Sequence, residues 1–359
     1  VWLLPQLLLR FSAIKLLKYS LSFVLFLIFA PQYRIMDKLS AIQQPITEEL
    51  NRLNLILRQT LQTSSPLMNE VVERYLSSKG KQIRPILVLL CAKIFGDILP
   101  ESIYAAAAIE LLHNASLIHD DVVDESAMRR GKPTINHIYD NRISVLVGDY
   151  FVSCSLKEAI RTGHIEIINC IGTLGQELAR GEIDQLSNAR NHLLNEDAYL
   201  EVISRKTASL FYACMKVGAV SAHADEETAR ILTRYGELLG LCFQIKDDIF
   251  DYFEDKAIGK PTGNDLREGK ATLPIIHAIT AHPGEESDRM RALLNQPELS
   301  NADIEQLIEY AKTNGGIEYA YTKMQELRNE AVALLSELPA SPTIDALTAI
   351  LDYTIERNK

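Results

Sequence analysis

The sequence predicts an all-α protein folded as one domain. Three observations carry that expectation. Apolar residues recur at helical spacing along most of the chain, and alternating, strand-like runs are few. Gly (17) and Pro (13) are sparse among 359 residues. No linker is long enough to split the chain, and successive helices joined by short breaks favour one bundle. The elements follow in order from Ile46. Pro85 stands where a helix can begin, ahead of ILVLLCAKIF, and Gly96 follows as a stop signal. Residues 101–125 read as a long apolar helix ending in an acidic cluster. Further helices are expected near 139–160, 165–187, 197–221 and 226–254. The stretch from Lys256 to Gly269, rich in Gly, Lys and Asp, reads as a loop. Three or four helices come after it. Ser300 and Asp303 have the spacing of a capping box, and Ser341 before Pro342 is a helix-start signature.

Bulk composition narrows the function. Hydrophobic residues make up 47%, enough for a sizeable core, and the net charge is −10. That balance argues against a nucleic-acid binder, which carries a basic stripe. It leaves room for an anionic substrate, provided metal ions reverse the local charge. Five cysteines (Cys91, Cys154, Cys170, Cys214, Cys242) are scattered among apolar neighbours with no C-x-x-C. They read as buried free thiols in a reducing compartment, and the protein is expected to be cytoplasmic. Residues 1–35 are apolar and basic, with Arg10, Lys15 and Lys18 ahead of the run Leu21 to Ala30. That run has the length and flanks of a signal-peptide core, and is short of the roughly 20 residues a span needs. Met36 opens an ordinary polar, helix-forming segment. The preferred reading is therefore translated upstream sequence outside the fold, with the domain running from 36 to 359. An export signal would conflict with reduced thiols.

Two acidic clusters carry the chemistry. Asp120, Asp121 and Asp124 form one D-D-x-x-D, and Asp247, Asp248 and Asp251 form a second. Within a helix, residues four apart share a face, so each cluster presents paired carboxylates to one small volume. Such oxygens suit Mg²⁺, a hard cation that keeps several waters and is often bridged to a substrate phosphate. A chance copy in a chain this long has odds on the order of one in ten, and two copies about one in a few hundred. A solvated helix face explains one cluster better than it explains two.

Cations surround both clusters. Lys81 and Arg84 precede a helix, and Arg129 and Arg130 follow the first cluster. Lys206 with Thr207, Lys260 and Lys270 lie around the second. Arg offers phosphate a bidentate fork and Lys a point charge. Gln244 shares the helix face of Asp248 and Asp251. His113, Ser116, Asp120 and Asp124 share another, where His113 reads as either a phosphate donor or a structural hydrogen-bonding residue. Ala115, Ser116 and the run Ala105 to Ala108 are small. They leave room beside the helix or allow close helix–helix packing, and spacing alone does not choose. Metals and cations around a diphosphate lower the barrier to breaking its carbon–oxygen bond, and a dry apolar wall protects a reactive cation.

From about Met36 onward the chain resembles the trans-polyprenyl diphosphate synthases, in particular the bacterial octaprenyl type. The segments GKQIRP, ELLHNASLIHDDVVDESAMRRGKPT, SRKTASLF, GLCFQIKDDIFDY and GKPTGNDLREGKATLP carry the resemblance, in the family's order. It implies antiparallel helices around a deep central cavity and a homodimer. It implies two to three Mg²⁺ ions held by Asp120, Asp124, Asp247 and Asp251, with Asp121 and Asp248 in support. These six carboxylates and Lys206 form the implied catalytic set. Lys81, Arg84, His113 and Arg130 match an isopentenyl diphosphate site. Arg129, Lys206, Thr207, Gln244 and Lys260 match positions that hold the allylic diphosphate. The allylic substrate ionises, isopentenyl diphosphate attacks, and a proton leaves with the departing diphosphate. Short-chain members carry an aromatic four or five residues before the first cluster. Here Ser116 and Ala115 stand there, so that floor is absent. From Asp120 back to Ala105 is fifteen residues, roughly 22 Å of helix, which favours a product longer than farnesyl. Octaprenyl, for quinone side chains, is the expected length, with peripheral membrane contact for product release.

Two other classes remain to be weighed. A terpene cyclase of the same fold usually replaces the second cluster with an Asn/Ser/Glu-type motif, and a non-catalytic synthase subunit typically lacks both. This chain keeps Asp at all six places. A membrane-anchored binding protein rests on residues 1–35 alone.

Overall fold

The computed structural model describes residues 38–77, 80–253, 262–296 and 298–357. Two compact units divide the chain, Val1–Gln44 and Pro45–Lys359. In the first, residues 38–43 are helical, and the expected extension 1–35 lies outside the described residues.

The second unit carries every candidate site residue. It begins with α1 (Thr47–Leu61), α2 (Pro66–Leu76), α3 (Ile83–Lys93) and α4 (Pro100–Val123). A hairpin of two-residue strands follows, β1 (Met128–Arg129) and β2 (Lys132–Pro133), paired antiparallel with Arg129 opposite Lys132. Next come α5 (Ile135–Ile138), α6 (Asn141–Arg161), α7 (Ile165–Arg190) and α8 (Glu196–Ile203). A π-helical segment, Ser204–Ala208, leads into α9 (Ser209–Ser221), and α10 (Glu226–Phe250) follows. The chain closes with α11 (Asn264–Arg267), α12 (Leu273–Ala281), α13 (Glu285–Leu294), α14 (Asn301–Thr313), α15 (Gly316–Ser336) and α16 (Pro342–Glu356).

The starts are fixed by side chains that accept orphan backbone N–H groups. Asp140 accepts from Ile143 N (2.8 Å), Asn195 from Ala198 N (2.8 Å) and Asp225 from Thr228 N (2.9 Å). The capping box at Ser300 forms with both its bonds, and Ser341 caps α16 ahead of Pro342. α3 opens two residues before Pro85.

The buried centre is α4 laid along α6, with α9 packed between α3 and α10. Ala105, Ala106, Ala107 and Ala108 are all fully buried. Ser155 of α6 donates to the Ala108 carbonyl at 2.7 Å. Of the two readings of that alanine run, close helix packing is therefore the one observed. All five cysteines are free, and Cys91, Cys154, Cys214 and Cys242 are buried. Among the described residues no helix is long and apolar enough to cross a membrane.

Two segments depart from the sequence expectation. Helix 197–221 is interrupted by the π segment. That segment is pinched between two glycines. A Cβ on Gly181 of α7 would stand 2.8 Å from Lys206 N, and one on Gly240 of α10 would stand 2.5 Å from Ala208 Cα. The backbone passes where no larger residue leaves room. The expected loop 256–269 contains α11, because Asp251 caps it from a distance. Its Oδ1 accepts from Asn264 N (3.1 Å) and its Oδ2 from Asp265 N (3.0 Å).

Candidate active site

A cavity of about 1320 Å³ opens where α4 and α10 end. Asp124, Asp247, Asp248 and Asp251 line it, together with Arg129, Arg130, Lys206, Thr207, Gln244 and Lys270. Both acidic clusters occupy the last turn of their helices, with Asp124 and Asp251 as the C-terminal caps. A helix carries partial negative charge at that end, which disfavours carboxylates there unless a cation is close. Six carboxylates at two such ends create a demand for positive charge.

The resident cations meet it in part. Lys270 lies 3.6 Å from Asp124, and Arg357 donates to Asp247 Oδ1 at 2.7 Å. Asp120, half-buried, is pushed up to about 6 by burial, against the pull of Lys206. The two middle carboxylates point inward. Asp121 accepts from Arg129 Nε at 2.7 Å, and Asp248 accepts from Tyr199 (2.6 Å) and Gln244 (2.7 Å). Each thereby orients a neighbour that also lines the cavity.

Among the described residues, no group of three or more His, Cys, Asp or Glu side chains forms a metal cage alone. Oxygen donors in pairs at two negative helix ends still fit a hard divalent cation that completes its shell with water and a phosphate. Asp120 with Asp124, and Asp247 with Asp251, are the pairs suited to it.

Two sets of donors flank these pairs. The π segment, a form frequent at functional sites, carries Lys206 and Thr207. Lys206 is ion-paired with Glu182 and donates to Gln185 Oε1 at 3.2 Å. Thr207 donates to Gln244 Oε1 at 2.6 Å. The other set gathers around His113. This buried imidazole feels Arg84, Arg130 and Arg129, and burial first, then those charges, hold its pKa well below the ordinary value. The Arg84 guanidinium sits near the Phe211 and Phe243 rings, and its Nε is buried with no hydrogen-bond partner among the described residues. Gly80 makes room for Arg130, whose guanidinium would lie 2.6 Å from a Cβ there. Arg130 (φ 51°) and Gln82 (φ 52°) are both left-handed, a conformation costly for such residues. Lys81 Nζ stands over Tyr353.

Other expected positions fall differently. Ala115 is fully buried and Ser116 half-buried, and neither lines the cavity. Asp120, Asp121, Lys81, Arg84 and His113 stand back from its lining too. Lys260 lies outside the described residues. Four residues escaped the sequence reading: Glu182, Gln185, Tyr199 and Arg357. Glu182 and Gln185 are three apart on α7, and Tyr199 stands seven before Lys206, so helical spacing held a signal for these. Arg357 near the C-terminus carried none.

The polyprenyl synthetase family model matches residues 65–311. This chain belongs to that family. It is a polyprenyl diphosphate synthase, a prenyltransferase of the long-chain trans type. The synthase is 33% identical to the octaprenyl diphosphate synthase of Escherichia coli over 322 residues, 89% of this chain and 99% of that one. It is similar to a solved polyprenyl synthase of Caulobacter crescentus complexed with calcium and isoprenyl diphosphate (TM-score 0.84, 31% identity, 89% and 98% covered). A geranylgeranyl pyrophosphate synthase of Bacteroides thetaiotaomicron gives TM-score 0.78 at 40% identity, covering 89% of this chain and 100% of that one.

Proposed function

We propose that the synthase condenses isopentenyl diphosphate with farnesyl diphosphate, and repeats the step to all-trans octaprenyl diphosphate for quinone side chains. One observation carries the reading: two carboxylate-bearing helix ends and the Lys206–Thr207–Gln244 group border a single cavity. Asp120, Asp124, Asp247 and Asp251 would hold two to three Mg²⁺ ions, which neutralise a diphosphate leaving group when bound. Arg129, Lys206, Thr207 and Gln244, with Lys260, hold the allylic diphosphate. Lys81, Arg84, His113 and Arg130 hold isopentenyl diphosphate, and the orphan Nε of Arg84 suits a phosphate oxygen. The allylic carbon–oxygen bond breaks with its electron pair leaving on diphosphate. The isopentenyl double bond forms the new carbon–carbon bond, and the proton lost next goes to the departing diphosphate. The protein is placed in the cytoplasm, at a membrane surface for product release. Residues 36–359 are taken as its domain.

Octaprenyl rests on the likeness to octaprenyl synthases at 33% identity. Incubation with labelled isopentenyl diphosphate, farnesyl diphosphate and Mg²⁺, followed by sizing of the lipid alcohols, is expected to give the eight-unit product. A four-unit product would overturn the length and leave the class standing. Activity that survives a chelator would overturn the metal assignment.

Product length has its own test. Ser116→Phe, at a half-buried position of α4, is expected to shorten the product. Ala115→Phe should shorten it too, with a stability loss of about 1–3 kcal/mol from overpacking. Unchanged product length in both variants removes these residues from the floor.

The homodimer is supported by an exposed apolar stripe on α6: Val145 (41% exposed), Leu146 (60%), Val152 (40%), Leu156 (46%) and Ile160 (56%). A monomer rarely leaves such a row uncovered. Leu156→Asp is expected to shift sedimentation from dimer to monomer, and a variant that sediments as wild type moves the interface elsewhere.

A further inference from the structure

Tyr199 belongs to neither acidic motif, yet it begins a chain of four hydrogen-bonded side chains that all line the cavity. Its phenol, buried on α8, donates to Asp248 Oδ2 at 2.6 Å. Asp248 Oδ1 accepts from Gln244 Nε2 at 2.7 Å. Gln244 Oε1 accepts from Thr207 Oγ1 at 2.6 Å.

The order of donors is fixed along this chain. Both oxygens of Asp248 are engaged, so Gln244 must turn its nitrogen toward the carboxylate. Its oxygen then faces Thr207, whose single proton is committed to it. Reversing the amide would set Gln244 Oε1 against a carboxylate oxygen and lose that bond, while Nε2 would turn to the lone pairs of the Thr207 hydroxyl. Within the chain, the second N–H of Gln244 is the donor left for a ligand, and Thr207 is left with lone pairs. The chain also ties three elements together: α8, α10 and the π segment.

We infer that Tyr199 is a positioning residue for the allylic diphosphate, anchoring Asp248 so that Gln244, held at its other end by Thr207, presents a fixed N–H donor to that ligand. This rests on the assignment of Gln244 and Thr207 to the allylic site. Asp248 on this view is a hub that orients neighbours, while Asp247 and Asp251 of its cluster would hold the metal.

Tyr199→Phe removes the phenol oxygen, and with it the donor, and keeps the ring. It is expected to raise KM for farnesyl diphosphate about tenfold, the weight of one buried hydrogen bond. KM for isopentenyl diphosphate should hold, and kcat should fall by less than about threefold. A merely structural loss would move both KM values together, and that result overturns the inference. A double-mutant cycle with Thr207→Val, read by calorimetric binding of the unreactive farnesyl thiolodiphosphate, should give a combined loss well below the product of the single losses. Multiplicative losses overturn the inference while leaving the synthase reading intact. Wild-type protein that elongates nothing overturns that reading, and this inference with it. If Tyr199→Phe does not fold, the same cycle run with Asp248→Asn and Thr207→Val replaces it, and multiplicative losses there are equally fatal.

Discussion

Asp120→Asn is expected to slow elongation by about a thousandfold while leaving the fold at least as stable as wild type. The two effects have separate causes. Losing one carboxylate from a metal pair removes several kcal/mol of charge stabilisation from the breaking carbon–oxygen bond, which is worth about three powers of ten in rate. The fold loses nothing comparable. Asp120 sits in the last turn of α4 beside Asp121 and Asp124, where the helix end is already negative. Burial and the neighbouring Glu182 and Asp124 raise its pKa to about 6, so its charge is held at a cost. A neutral amide of the same shape relieves that cost, and the melting temperature should hold or rise. Asp247→Asn should cost activity on the same scale without that gain, because Asp247 is bonded to Arg357 at 2.7 Å and the amide forfeits the ion pair. Single-turnover elongation and thermal melting of the two variants, side by side, test the whole pattern. Near-normal turnover in either variant would withdraw its carboxylate from the metal site.

The long helices were legible because their signals are local. Cap residues, apolar spacing and a Gly stop all act within a few turns, and α4, α6, α7 and α10 begin and end near where the sequence places them. The acidic pairs were legible for the same reason, since spacing alone puts Asp120 with Asp124. What escaped depends on contacts distant in sequence. The π segment arises where Gly181 and Gly240 let α7 and α10 close on residues 204–208, and nothing within SRKTA announces it. The 128–133 hairpin has strands too short for a period of two, although Arg130 (φ 51°) and Gly131 (φ 72°) make its turn. Ala105 to Ala108 stayed ambiguous because alanine serves an open wall and a tight interface equally well. Arg357 reaches Asp247 across 110 residues, a partnership that only the folded chain reveals. Tyr199 illustrates the limit best. Its spacing from Lys206 was visible, but the carboxylate it serves lies on another helix.

Arg84→Leu is expected to raise KM for isopentenyl diphosphate about a hundredfold and to raise the melting temperature as well. Burial pulls the Arg84 pKa below its ordinary value, which is the signature of a cation enclosed at a cost. Glu110 offsets that cost in part and Arg130 adds to it. The nearby rings of Phe211 and Phe243 give the guanidinium a partial home, but Nε finds no acceptor among the described residues. A fold built for stability alone would fill this position with a hydrophobe, since replacing a poorly compensated buried charge by a packed apolar side chain is often stabilising. Binding reverses the balance. A diphosphate oxygen would supply the missing acceptor and the missing negative charge, and a charge-assisted bond in a dry site is worth about 1.5–3 kcal/mol. Removing it should therefore weaken isopentenyl diphosphate while sparing farnesyl diphosphate, whose proposed ligands lie around Lys206 and Gln244. Opposite signs in affinity and stability separate this account from general damage. A variant that melts lower and loses both substrates alike would make Arg84 a structural residue, and one with unaltered KM would move the isopentenyl site elsewhere.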